Sequence, residues 1–448
     1  MKPACKWVSM PILAAVLVVG AAAATWAAPQ DQQQQQAKPN YTLAEYNAYK
    51  AADAEKDPQM KIKDLDDFVA KYPGSALLSF VYRDYYLTYY PLKNYPKTIE
   101  YVDKVLALPN LDLGTRLESL GYRAQAMLYG STDKDLQTPD ADTKAKDAAA
   151  QGLQTLSQWQ KPQGMTDDQF ATNKKGLGVL FNSVAGIAES GLKDYKAAAD
   201  SYKAVLALDP SDAVTHFRLG VAYLQEMPPA APDGFWELSR SIALKGPGEA
   251  QVRTYLKNQL LHYQQPSCEK LADDEINQMI TLAATSADRP ASMTIPSADD
   301  LQKARDETAN FLPWLQEGSD HGKVMWLATC GLEYPDVGVK VLDIMPGDND
   351  SFTLQVYRPA AADPDAAAKE MDAATMPNMQ VHVVMQPDAK RLMKDDAVRF
   401  TGTLTNYQQS PFLLTWDNAK INPEDLQPAP AGGKRPASRT AAPKKPGQ

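Results

Sequence analysis

The sequence predicts an α+β chain that is mainly α, an α-solenoid of helical hairpins followed by a small antiparallel β-barrel. Three observations predict this. Over residues 41–261 apolar side chains recur at helical spacing, and two stretches of that region repeat each other at an interval of 34 residues. From residue 324 the period falls to two, in five short runs separated by turn residues. At 448 residues the chain exceeds what one hydrophobic core organises, and 44% hydrophobic with 23% charged residues places it among globular rather than disordered chains.

The first element is a leader. Lys2 and Lys6 precede an apolar run over 7–24, which ends in Thr25-Trp26-Ala27-Ala28-Pro29. A basic start, an apolar middle and small residues before a polar stretch are the parts of a secretory signal peptide. Residues 1–27 are read as that peptide, with cleavage after Ala27 or Ala24; an uncleaved anchor is the alternative, since the run could span a bilayer. Either way the body is expected in the periplasm of a bacterial envelope or another extracytoplasmic space. Residues 28–40, with five glutamines at 32–36, lack apolar periodicity and read as a linker. With Cys5 removed, Cys268 and Cys330 remain, and in an oxidising compartment either a disulfide or two buried thiols would suit them.

The helical region is assigned to 41–263. Its closing cadence, an apolar-periodic run stopped by proline, occurs at 61–73, 95–109 and 194–210. Helices over 116–128 and 144–159 form a further hairpin across a polar loop at 130–142. In the unit opening at Val179, Gly186 takes the eighth place, Ala198 the twentieth, Tyr202 the twenty-fourth and Pro210 the thirty-second. In the unit opening at Ala213, Leu219, Gly220 and Tyr223 take places seven, eight and eleven; its second helix resumes at Phe235 after the proline-rich insert 228–232. Small residues at places eight and twenty let paired antiparallel helices approach closely, while aromatic and aliphatic residues between them fill the layer.

These residues resemble the tetratricopeptide repeat (TPR) family, as about five degenerate units over half the chain. The resemblance implies a stacked array with a concave groove that holds peptides. Its groove places, five, nine and twelve of each first helix, fall on Tyr82, Tyr86 and Tyr89, on Ser183, Ile187 and Ser190, and on Phe217, Val221 and Leu224. Tyr82, Tyr85, Tyr86 and Tyr89 form one helical stripe. It suits recognition, because tyrosine joins broad apolar area to a polar tip; packing between repeats would use the same stripe. The later groove places are apolar or small, so the expected partner is an apolar or extended protein or peptide segment rather than an acidic tail.

Residues 264–323 are read as a helical cap and connector. The helices expected beside and within it are 251–263, 273–285 and 299–311, the last with Ser297 as its N-cap. Solenoids need such a polar terminus to close the last seam.

The β module is assigned to 324–424, with strands at 339–344, 352–357, 379–385, 397–404 and 412–416. The turn Lys394-Asp395-Asp396 followed by a strand containing Gly402 resembles OB-fold modules, where such a glycine lets a closing barrel coil sharply; a β-sandwich is the alternative. OB-folds often bind nucleic acid, but Lys340, Arg358, His382 and Arg399 are diluted by Asp343, Asp348 and Asp350, and the net charge is −9. No nucleic-acid partner is expected. Residues 425–448 read as a disordered tail rich in Pro, Ala and Lys. Lys434, Arg435, Arg439, Lys444 and Lys445 stand there without a balancing acid after Asp425, so it could touch a membrane surface or an anionic polymer.

The chain carries no nucleophile-elbow, zinc-protease or phosphate-loop motif. Gly176-Leu177-Gly178 lies on a helix without a preceding strand, and Asp348-Asn349-Asp350 reads as a hairpin turn rather than a calcium loop. His216, His262, His321 and His382 lack ligand-spaced partners. No catalytic residue, metal site or cofactor is expected. The functional expectation is an exported, non-enzymatic scaffold for protein–protein interaction. The alternatives are a ligand- or polysaccharide-binding subunit of an envelope enzyme complex and a self-assembling structural protein.

Overall fold

The structure, a computed structural model, describes residues 40–130, 139–348 and 351–426. The leader, nearly all of the linker, the middle of the 130–142 loop, the turn residues Asn349 and Asp350, and the basic tail lie outside the described residues. The fold is mainly α, with a closed five-stranded barrel at its C-terminal end. The chain divides into two compact units, residues 1–253 with 280–289, and 254–279 with 290–448.

In the first unit, α1 (Leu43–Ala54), α2 (Pro58–Lys71), α3 (Leu78–Tyr89), α4 (Tyr95–Leu106) and α5 (Leu113–Tyr129) follow one another with short turns. They continue into α6 (Pro139–Gln158), α7 (Asp167–Gly191), α8 (Tyr195–Leu208), α9 (Ala213–Gln225) and α10 (Ala231–Ala243). The starts are written locally: Asp57, Asp112, Asp194 and Asp212 accept backbone N–H bonds as N-caps, and Thr42 and Thr166 build full capping boxes with Glu45 and Gln169. Each helix packs on the next in sequence, and α5 also packs on α7. Such next-neighbour packing is the signature of a stacked, repeat-like array.

Close approach within the hairpins rests on glycine. A Cβ on Gly186 would lie 2.5 Å from the Tyr202 ring of α8, and one on Gly220 would lie 2.9 Å from the Gly234 carbonyl oxygen of α10. Ala198, Tyr202 and Leu219 are buried against them, Tyr223 is partly buried, and Pro210 is exposed just beyond α8. Three bounds differ from expectation. α7 begins at Asp167, well before Val179; α6 begins at Pro139, inside the expected loop; and α10 begins at Ala231, inside the proline-rich insert, because proline is tolerated in a first helical turn. The segment 280–289 covers α10: Trp236 donates to the Ala287 carbonyl at 3.3 Å, Arg289 pairs with Asp233 at 2.9 Å, and Arg240 donates to the Ala283 carbonyl.

α11 (Glu249–Gln264) and α12 (Ala272–Thr285) are each divided between the units. The second unit continues with α13 (Ala298–Asp306), α14 (Phe311–Glu317) and α15 (Asp320–Thr329). Ser297 caps α13, its Oγ accepting from the Asp300 N–H at 3.2 Å. The expected single helix over 299–311 is instead α13 and α14, separated by a 3-10 turn at Thr308–Asn310. Cys268 and Cys330 are joined by a disulfide, with Cα atoms 5.1 Å apart and both residues buried.

The barrel strands are β1 (Glu333–Pro346), β2 (Phe352–Tyr357), β3 (Met379–Val383), β4 (Ala397–Gln408) and β5 (Leu413–Ile421), with α16 (Pro364–Ala373) between β2 and β3. α15 still runs at residue 324, where the period-two texture is expected to start, and the first strand begins at Glu333 rather than at 339. Strand order around the closed barrel is β1-β2-β3-β5-β4, an OB-like arrangement. It is not wholly antiparallel: β3 and β5 run parallel, because the chain leaves β3 for β4 before returning beside it. Burial alternates residue by residue along β2, β3 and most of β4, so one face of each fills the interior. Leu354, Val356, Val381, Phe400, Leu414 and Trp416 are central to that core, and Leu312, Leu315 and Met325 of α14 and α15 pack into it. Gly402 sits where the β4–β5 register shifts. Asp425, expected in the disordered tail, accepts from both Nε and Nη2 of Arg399 at 3.0 and 2.9 Å and ties the chain end to β4.

Candidate functional site

The tyrosine stripe on α3 is drawn into the interior in two directions. Tyr85 stacks on Tyr101 of α4 at 3.9 Å between ring centroids, with Tyr82 and Tyr89 ranged around the same ring at 6.2 and 5.7 Å. Tyr86 instead turns to α5, 5.1 Å from Tyr122, and its hydroxyl donates to Glu118 at 3.3 Å. Tyr86 is wholly buried, which corrects its assignment to an open groove wall; Tyr82 and Tyr89 are partly buried against the same core. A helix inside a stack has neighbours on both sides, so an aromatic stripe can be consumed by packing on each.

The later groove places divide similarly. Ser183 is buried, a second correction. Ile187 lines a cavity of about 40 Å³ with Met127, Leu128 and Ala145 of α5 and α6. Leu224 packs where a Cβ on Gly234 would stand, so it belongs to the α9–α10 contact. Phe217 and Val221, one helical turn apart on α9, are partly buried. His216 beside them is buried, its Nδ1 2.5 Å from Glu237 of α10 and its Nε2 3.1 Å from the Pro210 carbonyl. Both ring nitrogens are thus committed to holding the hairpin.

The basic residues noted on the β runs are mostly paired. Lys340 lies 3.3 Å from Asp395, and His382 Nδ1 lies 2.5 Å from Asp417, which also accepts from Thr405 at 2.5 Å. In that cluster the aspartate, not the histidine, touches the hydroxyl.

Arg358 is the exception. Just past β2, it helps line a cavity of about 120 Å³ wholly within the second unit. Arg305 and Thr308 line it from the α13 end, Phe311, Met325 and Thr329 from α14 and α15, and Tyr334, Val337, Met379 and Trp416 from the barrel. The Tyr334 hydroxyl and Trp416 Nε1 are sealed from solvent and have no hydrogen-bond partner among the described residues. The two rings meet edge to face at 5.7 Å. Burial pushes the Tyr334 phenol up to about 12 and pulls the Arg358 guanidinium below its usual value. Sequence reading placed Arg358 only among diluted surface charges and missed Arg305, Tyr334 and Trp416. The inward parity of Trp416 on β5 was the one available signal, because the cavity's residues come from segments about a hundred positions apart.

Among the described residues no group of histidine, cysteine and carboxylate side chains could hold a metal ion, and no helix is long and apolar enough to cross a membrane. The sequence matches no protein-family model, and no curated protein is detectably similar to it.

Proposed function

We propose that this chain is an exported, non-enzymatic adaptor of the TPR type, whose helical array binds an apolar or extended segment of a protein partner in the cell envelope. One observation carries the reading: the hairpins of the first unit pack mainly on near neighbours, with glycine-mediated contacts at the repeat places that the sequence pattern picks out. Arrays so built leave one wall of each layer to bind other molecules. Phe217 and Val221 of α9, like Tyr82 and Tyr89 of α3, are groove-place residues that are only partly buried. The Cys268–Cys330 bridge supports an oxidising, extracytoplasmic location, which the leader-like N-terminus independently suggests. The pairing of Lys340, His382 and Arg399 with acids supports a module that does not bind nucleic acid.

The test is site-specific photocrosslinking in envelope extract, using the chain without residues 1–27 and a crosslinker at Val221 or, as control, at exposed Lys245. One defined protein captured at Val221 alone, and lost with Phe217→Glu, is the expected result. Identical capture at both positions, or turnover of glycan or peptide substrates by the purified chain, refutes the adaptor reading.

A further inference from the structure

The cavity beside the barrel combines features that a structural void does not require. Every polar group singled out on its wall is a donor. Trp416 is 2% exposed, and its indole N–H can only donate; the Tyr334 hydroxyl stays protonated at neutral pH; both lack an acceptor among the described residues. The Arg358 guanidinium has no carboxylate or carbonyl partner among the described residues. Arg305 is a second cation, fixed in place because its Nη1 donates to the Pro266 and Ala328 carbonyls, both at 3.1 Å, and its Nε and Nη2 donate to Gln302. No aspartate or glutamate lines the space.

Buried donors without acceptors cost stability, and an arginine near them without a counter-charge adds to that cost. An acceptor-rich anion relieves the arginine's share. Phe311, Met325, Val337 and Met379 make the remaining wall apolar, so part of the occupant is apolar too. A volume of about 120 Å³, against about 150 Å³ for a cavity that takes benzene, limits the enclosed part of the occupant to about half a dozen non-hydrogen atoms.

We infer that this cavity binds a small carboxylate on a short apolar body, the carboxylate meeting Arg358 and the body resting on Phe311 and Met379. The carboxylate could belong to a free short-chain acid or to the C-terminus of a peptide. The four apolar side chains favour either over inorganic phosphate, which has no apolar surface to place against them.

The chain lacking residues 1–27 is titrated with butyrate, acetyl-alanyl-alanine, butyramide and inorganic phosphate. Binding is followed by calorimetry and by the Trp416 indole N–H resonance, assigned with Trp416→Phe. The expected result is saturable binding of butyrate or of the acetylated dipeptide, whichever source is correct, with the indole resonance moving. Butyramide and phosphate bind at least about tenfold more weakly, and Arg358→Gln weakens the carboxylate about tenfold while circular dichroism is unchanged. No saturation by either acid at tens of millimolar overturns the inference and leaves water as the occupant. Butyramide or phosphate binding as well as the acids also overturns it, and this arm needs no variant to fold. Undiminished binding by a folded Arg358→Gln does the same.

Discussion

Gly220→Ala tests the packing on which the helical array rests. The added methyl would stand 2.9 Å from the Gly234 carbonyl oxygen and 2.9 Å from Leu238 Cγ. An ordinary contact needs about 3.5 Å, so α9 and α10 must part by roughly half an ångström or shift along each other. The obstruction is partly backbone, which cannot rotate away, so the overpacking cost belongs near the top of the usual range of about 1–3 kcal/mol. Better helix propensity returns about 1 kcal/mol, leaving a net loss of about 1–2 kcal/mol. For a unit of this size that lowers the melting midpoint by about 2–8 °C. Gly121→Ala on α5 is the control: its methyl would lie 3.4 Å from the mobile tip of Leu177, so propensity dominates and the midpoint rises by a few degrees. The assay is thermal unfolding of the chain without residues 1–27, followed by circular dichroism at 222 nm. If Gly220→Ala stabilises as much as Gly121→Ala, the two helices do not meet through their backbones and the reasoning fails.

Three further outcomes are expected. Cys268→Ala/Cys330→Ala removes a bridge between residues 62 apart and should cost about 2–4 kcal/mol in the second unit, read by calorimetry with and without reductant. His216→Leu leaves the Glu237 carboxylate without its partner in a site where both side chains are nearly buried, at an expected cost of about 2–4 kcal/mol; His216→Leu/Glu237→Leu should recover part of it, and additive losses would refute the pairing. Burial raises the Glu275 carboxyl above its usual value while Gln264 donates to it at 2.9 Å. A raised folded-state value means that its contribution to stability is full at acidic pH, below the unfolded carboxyl value, and is lost as pH rises through the folded one. Glu275→Gln should therefore raise the midpoint more at pH 7 than at pH 4, and equal gains at both would sink the explanation.

Much of this architecture was legible in the sequence. β2 was placed to the residue, because burial on one face of a strand imposes alternation that survives in the chain. Ser297 as an N-cap and Gly186 and Gly220 as points of close approach were legible for a similar reason: each requirement is set by backbone within one turn or one hairpin. α16 was not, since its PDAAAKEMDA stretch has no buried residue and hence no apolar stripe to read. The sequence leaves the tyrosine stripe open between a recognition wall and packing between repeats, because periodicity tells which side chains share a face but not what lies against it. In the fold Tyr85 meets Tyr101 and Tyr86 meets Tyr122, and the face is consumed.

The sequence by itself determined the order of textures, helical hairpins and then short alternating strands, because both periods are written by local burial. Only the tertiary structure decided which residues meet across long separations. It closed the barrel by running β3 beside β5, joined Cys268 to Cys330, and gathered Arg305, Tyr334, Arg358 and Trp416 around one cavity. Those meetings depend on how packed elements cross in three dimensions, and no spacing along the chain encodes that.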